Sequence, residues 1–481
     1  MNHLGKAFLR GLKIAGLILP LGWWCLVEQA WAITPPHVEH LRWGDLEVVW
    51  LQDERFPIFQ ASIEFAQGAA AESWAQSGIT HFTLNNLDLG TKRFTQKELR
   101  HNLEYYGINY GASVGQDNAS FDFSGAIKFI PQTVQQICHL FTDATFPQAE
   151  WDNEKNKFKT SLRNLARSPD IIAGRALKIY GGENTPWANL PGGRWASVRR
   201  LQSADLKAHL QVLRQQVKKK LYLVGPREVL AMRDHLAACA FTGQQVWQVD
   251  ERASRWAINS SSSSSSSSVA VAPAASEIIF IGLPKSNQAQ IRLGHYVPAM
   301  SLAQYPAAWL ADDFLGRRGA MNSQLMKEIR VKYGLTYGIS TSVMLRKMFT
   351  WSSIATSGRT EKVEEIITRT LQKLKDLQEG IFLTEELALA QTGSARAVIF
   401  YLENPQSYLA TLVNLEDLGG SGRDLAQLDE RIRRVKSDEL QAALGQLFAA
   451  PFKIIVVGHP SLKKSLQKQW PVREVKLADL W

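Results

Sequence analysis

The stretch GITHFTLNNLDLGT, residues 78–91, sets His81 at the end of an apolar run. On a helix, positions i and i+4 share a face, so two histidines at that spacing can present both imidazoles to one divalent metal. A glutamate at i+3 can then polarise the metal-bound water as general base. Here those two positions hold Leu84 and Asn85. An alkyl chain accepts no proton, and a neutral amide is a poor zinc ligand. His81 alone cannot hold zinc, because stable sites need three or four protein ligands. The favoured reading of His81 is a partly buried helix histidine with a local hydrogen bond. A second candidate, HVEH at 37–40, has i, i+3 spacing, but Pro35 and Pro36 precede a strand-like run there. His139, His209, His235, His295 and His459 are scattered singly. No metal-binding set is expected on this chain.

The elements that must position these residues come in two copies. A serine run, NSSSSSSSSS at 259–268, has nothing apolar to bury and reads as a flexible connector. On either side the sequence repeats itself at an offset near 230 residues. ASIEFAQGAA (61–70) corresponds to AQIRLGHYVP (289–298), and YYGINYGASVG (105–115) to KYGLTYGISTS (332–342). KKLYLVGPREVLAMRDHL (219–236) corresponds to FKIIVVGHPSLKKSLQKQW (452–470), each a buried strand, a Gly/Pro turn and a helix. Alternating patterns predict strands near 46–66, 108–126, 277–296 and 336–357. Helical periodicity appears near 77–88, 95–106, 131–143, 148–167, 303–312, 361–378 and 384–399. The expected fold is α+β: two homologous domains, each a mostly antiparallel sheet covered by helices on one face, facing each other across a cavity. Their bounds are read as 33–255 and 270–481, with the Ser-rich linker at 256–269.

These residues resemble the pitrilysin/insulinase metallopeptidases, whose inverted zinc motif H-x-x-E-H commonly continues as M-L-F-K-G-T. His81, Phe82, Leu87, Gly90 and Thr91 fit that longer pattern. In the second half, SQLMKEIRVKYGLTYGIS (323–340) resembles the family's R-L-F-Q-E-L-R-E-K-R-G-L-A-Y-S. The family's third ligand is a glutamate seven residues after another glutamate on a later helix. Glu154 fits the earlier one, but Ser161 stands at the ligand position.

The resemblance also assigns a role to Arg330 and Tyr337, which match an Arg and a Tyr that family members direct at the substrate carbonyl. A guanidinium and a phenol O–H can both donate to an oxygen that becomes negative in a tetrahedral intermediate. The loop GRRGAMNS (316–323) is expected to line the same cavity. Some bacterial family members resemble a split enzyme, in which one subunit carries zinc and the other carries the Arg/Tyr pair. The implied function is therefore a non-catalytic, substrate-binding subunit of a heteromeric zinc metallopeptidase. It would have no catalytic residue and no metal of its own, a peptide as substrate, and zinc in a homologous partner. The alternative is a stand-alone pseudopeptidase acting as a peptide-binding or scaffold protein.

The opening residues carry Lys6, Arg10 and Lys13, then the apolar run IAGLILPLGWWCLV, then AWA at 30–32. This pattern reads as a signal peptide over 1–32 and predicts an exported, periplasmic protein, with an uncleaved membrane anchor as the alternative. The formal net charge is +10, with the positive residues scattered. No basic stripe or aromatic platform suggests nucleic acid, and at most weak membrane-surface contact is expected. After cleavage Cys138 and Cys239 remain. Pairing is open to them in an oxidising compartment, but two small buried apolar residues is the favoured reading.

Overall fold

Period-2 alternation along the strands splits their side chains between two faces, and that division organises the molecule. The computed structural model describes residues 36–246, 276–317 and 319–481. The expected signal peptide and serine run lie outside the described residues. The first half forms a six-stranded sheet from β1 (Val38–Trp43), β2 (Leu46–Gln52), β3 (Ile58–Phe65), β4 (Asn109–Val114), β5 (Ala119–Ala126) and β6 (Lys219–Gly225). Their order is β1-β2-β6-β3-β5-β4. The second half repeats it with β7 (Glu277–Gly282), β8 (Gln288–Val297), β9 (Ile339–Leu345), β10 (Thr350–Arg359), β11 (Lys453–Gly458) and β12 (Val472–Glu474). The order there is β12-β7-β11-β8-β10-β9. Pairing is antiparallel except for β2 with β6, and β7 with β11 and β12.

In the first half, Phe59, Ala61, Ile63 and Phe65 of β3 and Phe121 and Phe123 of β5 point into one core. Helices Gln96–Tyr105, Ile130–Asp143 and Ser203–Gln215 close that core through Leu99, Val134, Ile137 and Leu206. The capping pair Thr95 and Glu98 fixes where the first of these helices starts. In the second half, helices Tyr305–Leu315, Val363–Gln378 and Ser437–Phe448 cover the matching face of β7, β8 and β11. Gly107 (φ 65°) and Gly334 (φ 62°) make corresponding left-handed turns into the edge strands β4 and β9.

The opposite face of each sheet is not left to solvent. Helix Pro169–Gly181 of the first half lays Ile172, Ala173, Ala176 and Leu177 on Ile279, Ile281, Ile455 and Val457 of the second sheet. Helix Pro405–Asp417 of the second half brings Tyr408, Leu412 and Leu415 into a core shared with Val49, Leu51, Tyr222 and Val224 of the first sheet. Each half thus lends one helix to the other, and residues from Pro36 onward form one compact unit. Between helix Pro405–Asp417 and β3, β4 and β5 a cavity of about 730 Å³ remains.

One expectation is overturned. Cys138 and Cys239 form a disulfide that closes a loop of 101 residues. It ties helix Ile130–Asp143 to the turn Ala237–Cys239 at the end of the first half. Both sulfurs are buried as the apolar reading required, but sequence spacing carries no signal for which segments meet. Among the described residues no helix is long and apolar enough to cross a membrane.

Candidate functional site

The helix carrying His81 runs Ile79–Asn85, and its start is clamped from three directions. The Glu72 carboxylate accepts from the backbone N–H groups of Gly78 (2.6 Å) and Thr80 (2.9 Å), which otherwise have no partner at a helix start. Burial pushes Glu72 up to about 7. Gly78 (φ 95°) presses on Gly193, and a Cβ there would lie 2.7 Å from the Gly193 Cα. The Thr80 hydroxyl meets His209 Nε2 at 3.0 Å, and burial drives His209 down to about 4, so this imidazole is neutral.

The side chains do not fit a metal. Asn85 Nδ2 donates to the His81 carbonyl (3.0 Å) and lies 3.3 Å from His81 Nδ1. The His81 ring meets Phe82 edge-on, and burial lowers its pKa. Leu84 is fully buried, Glu154 is paired with Lys157 at 2.6 Å, and Ser161 is exposed. Among the described residues no three His, Cys, Asp or Glu side chains converge as a metal site requires.

What occupies this place is a cavity of about 400 Å³ lined by Leu84, Asn85, Asp88, Arg100, Tyr110 and Glu154 among others. The buried Asp88 carboxylate accepts from Arg100 Nε (2.9 Å) and from the Tyr110 hydroxyl (3.0 Å). Sequence reasoning missed this group, since separations of 12 and 22 residues have no periodic meaning. A signal was present, however. In the internal repeat, Tyr110 is the counterpart of Tyr337.

The structure brings Arg330 and Tyr337 together. Arg330 lies on the π-helical segment Met326–Lys332, and its guanidinium stacks 4.6 Å from the centre of the Tyr337 ring. Tyr337 is 86% exposed and precedes β9 rather than lying in it. Among the described residues the Arg330 guanidinium has no ion pair or hydrogen bond, although its backbone carbonyl accepts from the Gly334 N–H, and none joins the two side chains to His81, Asn85 or Glu154. Neither Arg330 nor Tyr337 lines the cavity between the halves. Gly316 and Arg317 of the loop 316–323 pair with Thr341 of β9, but neither Arg330 nor Tyr337 lines the cavity that this loop helps to form. Arg317, Ala320 and Ser323 line a separate cavity of about 290 Å³ against helix Thr384–Leu402.

Comparison with known proteins agrees with this geometry. Residues 48–182 match the profile of Insulinase (Peptidase family M16), and residues 236–394 match that of the Peptidase M16 inactive domain. No curated protein sequence matches the chain. A peptidase M16 inactive domain from Pseudomonas fluorescens superposes with a TM-score of 0.73 at 18% identity, over 88% of this chain and 98% of that one. A protease from Helicobacter pylori gives 0.68 at 15% identity, over 88% of this chain and 100% of that one. The periplasmic protease PqqL from Escherichia coli gives 0.65 at 14% identity, with 88% of this chain covering 45% of that one. These likenesses establish a shared fold, and the two profiles together span more than half of the sequence. The chain belongs to the peptidase M16 family, as a homologue in which Leu84 and Asn85 stand where the zinc helix of H-x-x-E-H carries glutamate and histidine.

Proposed function

We propose that this chain is the non-catalytic, substrate-binding subunit of a heteromeric zinc peptidase whose homologous partner carries an intact H-x-x-E-H helix. One observation carries the reading: Arg330 and Tyr337 are stacked on each other, Tyr337 is exposed and Arg330 half-buried, and neither side chain has a hydrogen bond or ion pair among the described residues. Donors left free in this way are available to an oxygen outside the chain. In a peptide-bond hydrolysis they would stabilise the negative charge that develops on the carbonyl oxygen. The edge strand β4 offers backbone groups to an extended peptide, which would bind by adding a strand, whereas the edge of β9 is already bonded to Gly316 through Thr341. The Cys138–Cys239 disulfide supports an oxidising, exported location, in keeping with the signal-like residues 1–32 and with a periplasm.

The test is to purify the tagged chain from its native source. A two-domain partner with stoichiometric zinc and peptidase activity is expected to come with it. Arg330→Ala should leave that complex assembled and lower kcat/KM at least tenfold, in the range of one lost oxyanion donor. Unchanged turnover would remove the role given to Arg330. Recovery of the chain without any zinc-bearing protein would favour a peptide-binding scaffold instead.

A further inference from the structure

The cavity between the halves has two unlike walls. Its floor is the polar face of the first sheet, with Gln60, Ser62 and Glu64 from β3 and Ser120 and Asp122 from β5. Its roof is apolar, with Leu409, Ala410 and Val413 from the lent helix Pro405–Asp417 and Met344 from β9. The charged lining residues are three carboxylates, Glu64, Asp117 and Asp122, and one guanidinium, Arg346. Arg346 is already committed. Its Nε and Nη2 donate to Asp117 at 2.7–3.1 Å, and its Nη1 donates to Asn414 at 2.8 Å. That ion pair accounts for Asp117. Among the described residues Glu64 accepts only from the Asn118 amide (2.8 Å), and Asp122 only from the hydroxyls of Ser62 and Ser120.

A second observation points to a missing ligand. Tyr222 is 2% exposed and lines the cavity, yet its hydroxyl has no hydrogen-bond partner among the described residues. A buried phenol O–H without a partner is costly, and its oxygen can accept from an ammonium or guanidinium N–H. The internal repeat supplies a third. Glu64 is the counterpart of Arg292 in the second half. There the strand residue is the cation, and it pairs with Asp170 of the helix lent by the first half. In the first half, an acid on the strand faces an acid, Asp417, on the lent helix. The second half builds its cation into the strand, whereas in the first half the strand residue is an acid lining the cavity, offset only by the more distant charges of Arg346 and Lys220.

We infer that the cavity between the halves binds an organic cation, an ammonium or guanidinium carried on an apolar stem. The charged head would meet Glu64, Asp122 and the Tyr222 hydroxyl, and the stem would lie along Leu409 and Val413. The site is independent of the Arg330–Tyr337 pair and of any partner subunit. Binding is linked to protons. Burial and Asp417 push Glu64 up to about 7, against the pull of Arg346 and Lys220. A bound cation favours the carboxylate, so the complex forms with proton release near neutral pH.

Titration calorimetry on the purified full chain, with hexylammonium and phenylguanidinium as probes and hexanoate as the control, tests this. Saturable 1:1 binding of at least one cation is expected, at least threefold tighter at pH 8 than at pH 6, with no binding of hexanoate. Glu64→Gln should weaken it at least tenfold, and Asp122→Asn and Tyr222→Phe by a few-fold each. If Glu64→Gln does not fold, those two variants and the proton release of the unmodified chain decide the matter. Equal affinity for hexanoate, absence of binding by both cations, or full affinity in the variants overturns the proposal.

Discussion

At position 85 the side chain that would face a metal turns back on its own helix, where its amide donates to the His81 carbonyl. Position 84 has moved further, since Leu84 is 1% exposed and packed in the first-half core. A glutamate placed there would bury a charge between the apolar core and a cavity that already holds the Asp88 and Glu154 carboxylates, so restoring the motif residues alone would destabilise the helix that carries them. The same helix holds a neutral imidazole at its start. His209 titrates near 4 when folded and near 6.5 when unfolded, so acid favours the unfolded chain as pH falls through that window. Between pH 7 and pH 4.5 the unmodified chain should lose on the order of 2 kcal/mol more stability than His209→Gln. Urea denaturation at the two pH values measures this, and parallel losses in both proteins would rule it out.

At the scale of elements, much was legible in the sequence. The strand pairs, helices such as Ile79–Asn85, Gln96–Tyr105, Ile130–Asp143, Val363–Gln378 and Thr384–Leu402, and the repeat that relates the halves follow from period 2, period 3.6 and Gly/Pro punctuation. Helices Pro169–Gly181 and Pro405–Asp417 were not foreseen. The second shows an apolar stripe at Tyr408, Leu412 and Leu415, but only Glu403 and Asn404 separate it from the preceding helix. A stripe also says that a helix is covered, not which core covers it. The disulfide and the Asp88–Arg100–Tyr110 group share this property, because each depends on which segments meet in space. Because Leu412 is fully buried in the shared core, Leu412→Ala should cost about 2–5 kcal/mol. Chemical denaturation should show that loss as one cooperative transition for the whole chain. A first transition confined to the second half would show that the lent helix does not couple the two.

For the molecule as a whole, the disulfide and the lent helices act at different ranges. The Cys138–Cys239 bond closes a loop of 101 residues inside the first half, a constraint that stabilises by about 4.7 kcal/mol in chain-entropy terms. The helices join the halves without any covalent bond. A protease site placed in the serine run at 260–268 should therefore yield two fragments that co-elute on gel filtration and separate only in denaturant. Elution as two separate species would mean that the connector, not the packing, holds them together. The reciprocity has a bearing on ancestry. A lone copy of the repeated unit has a bare sheet face and a helix with nowhere to dock, and two copies cure both defects at once by mutual exchange. This is the arrangement of a swapped homodimer, so the present chain reads as two once-separate subunits fused end to end, after which each was free to diverge.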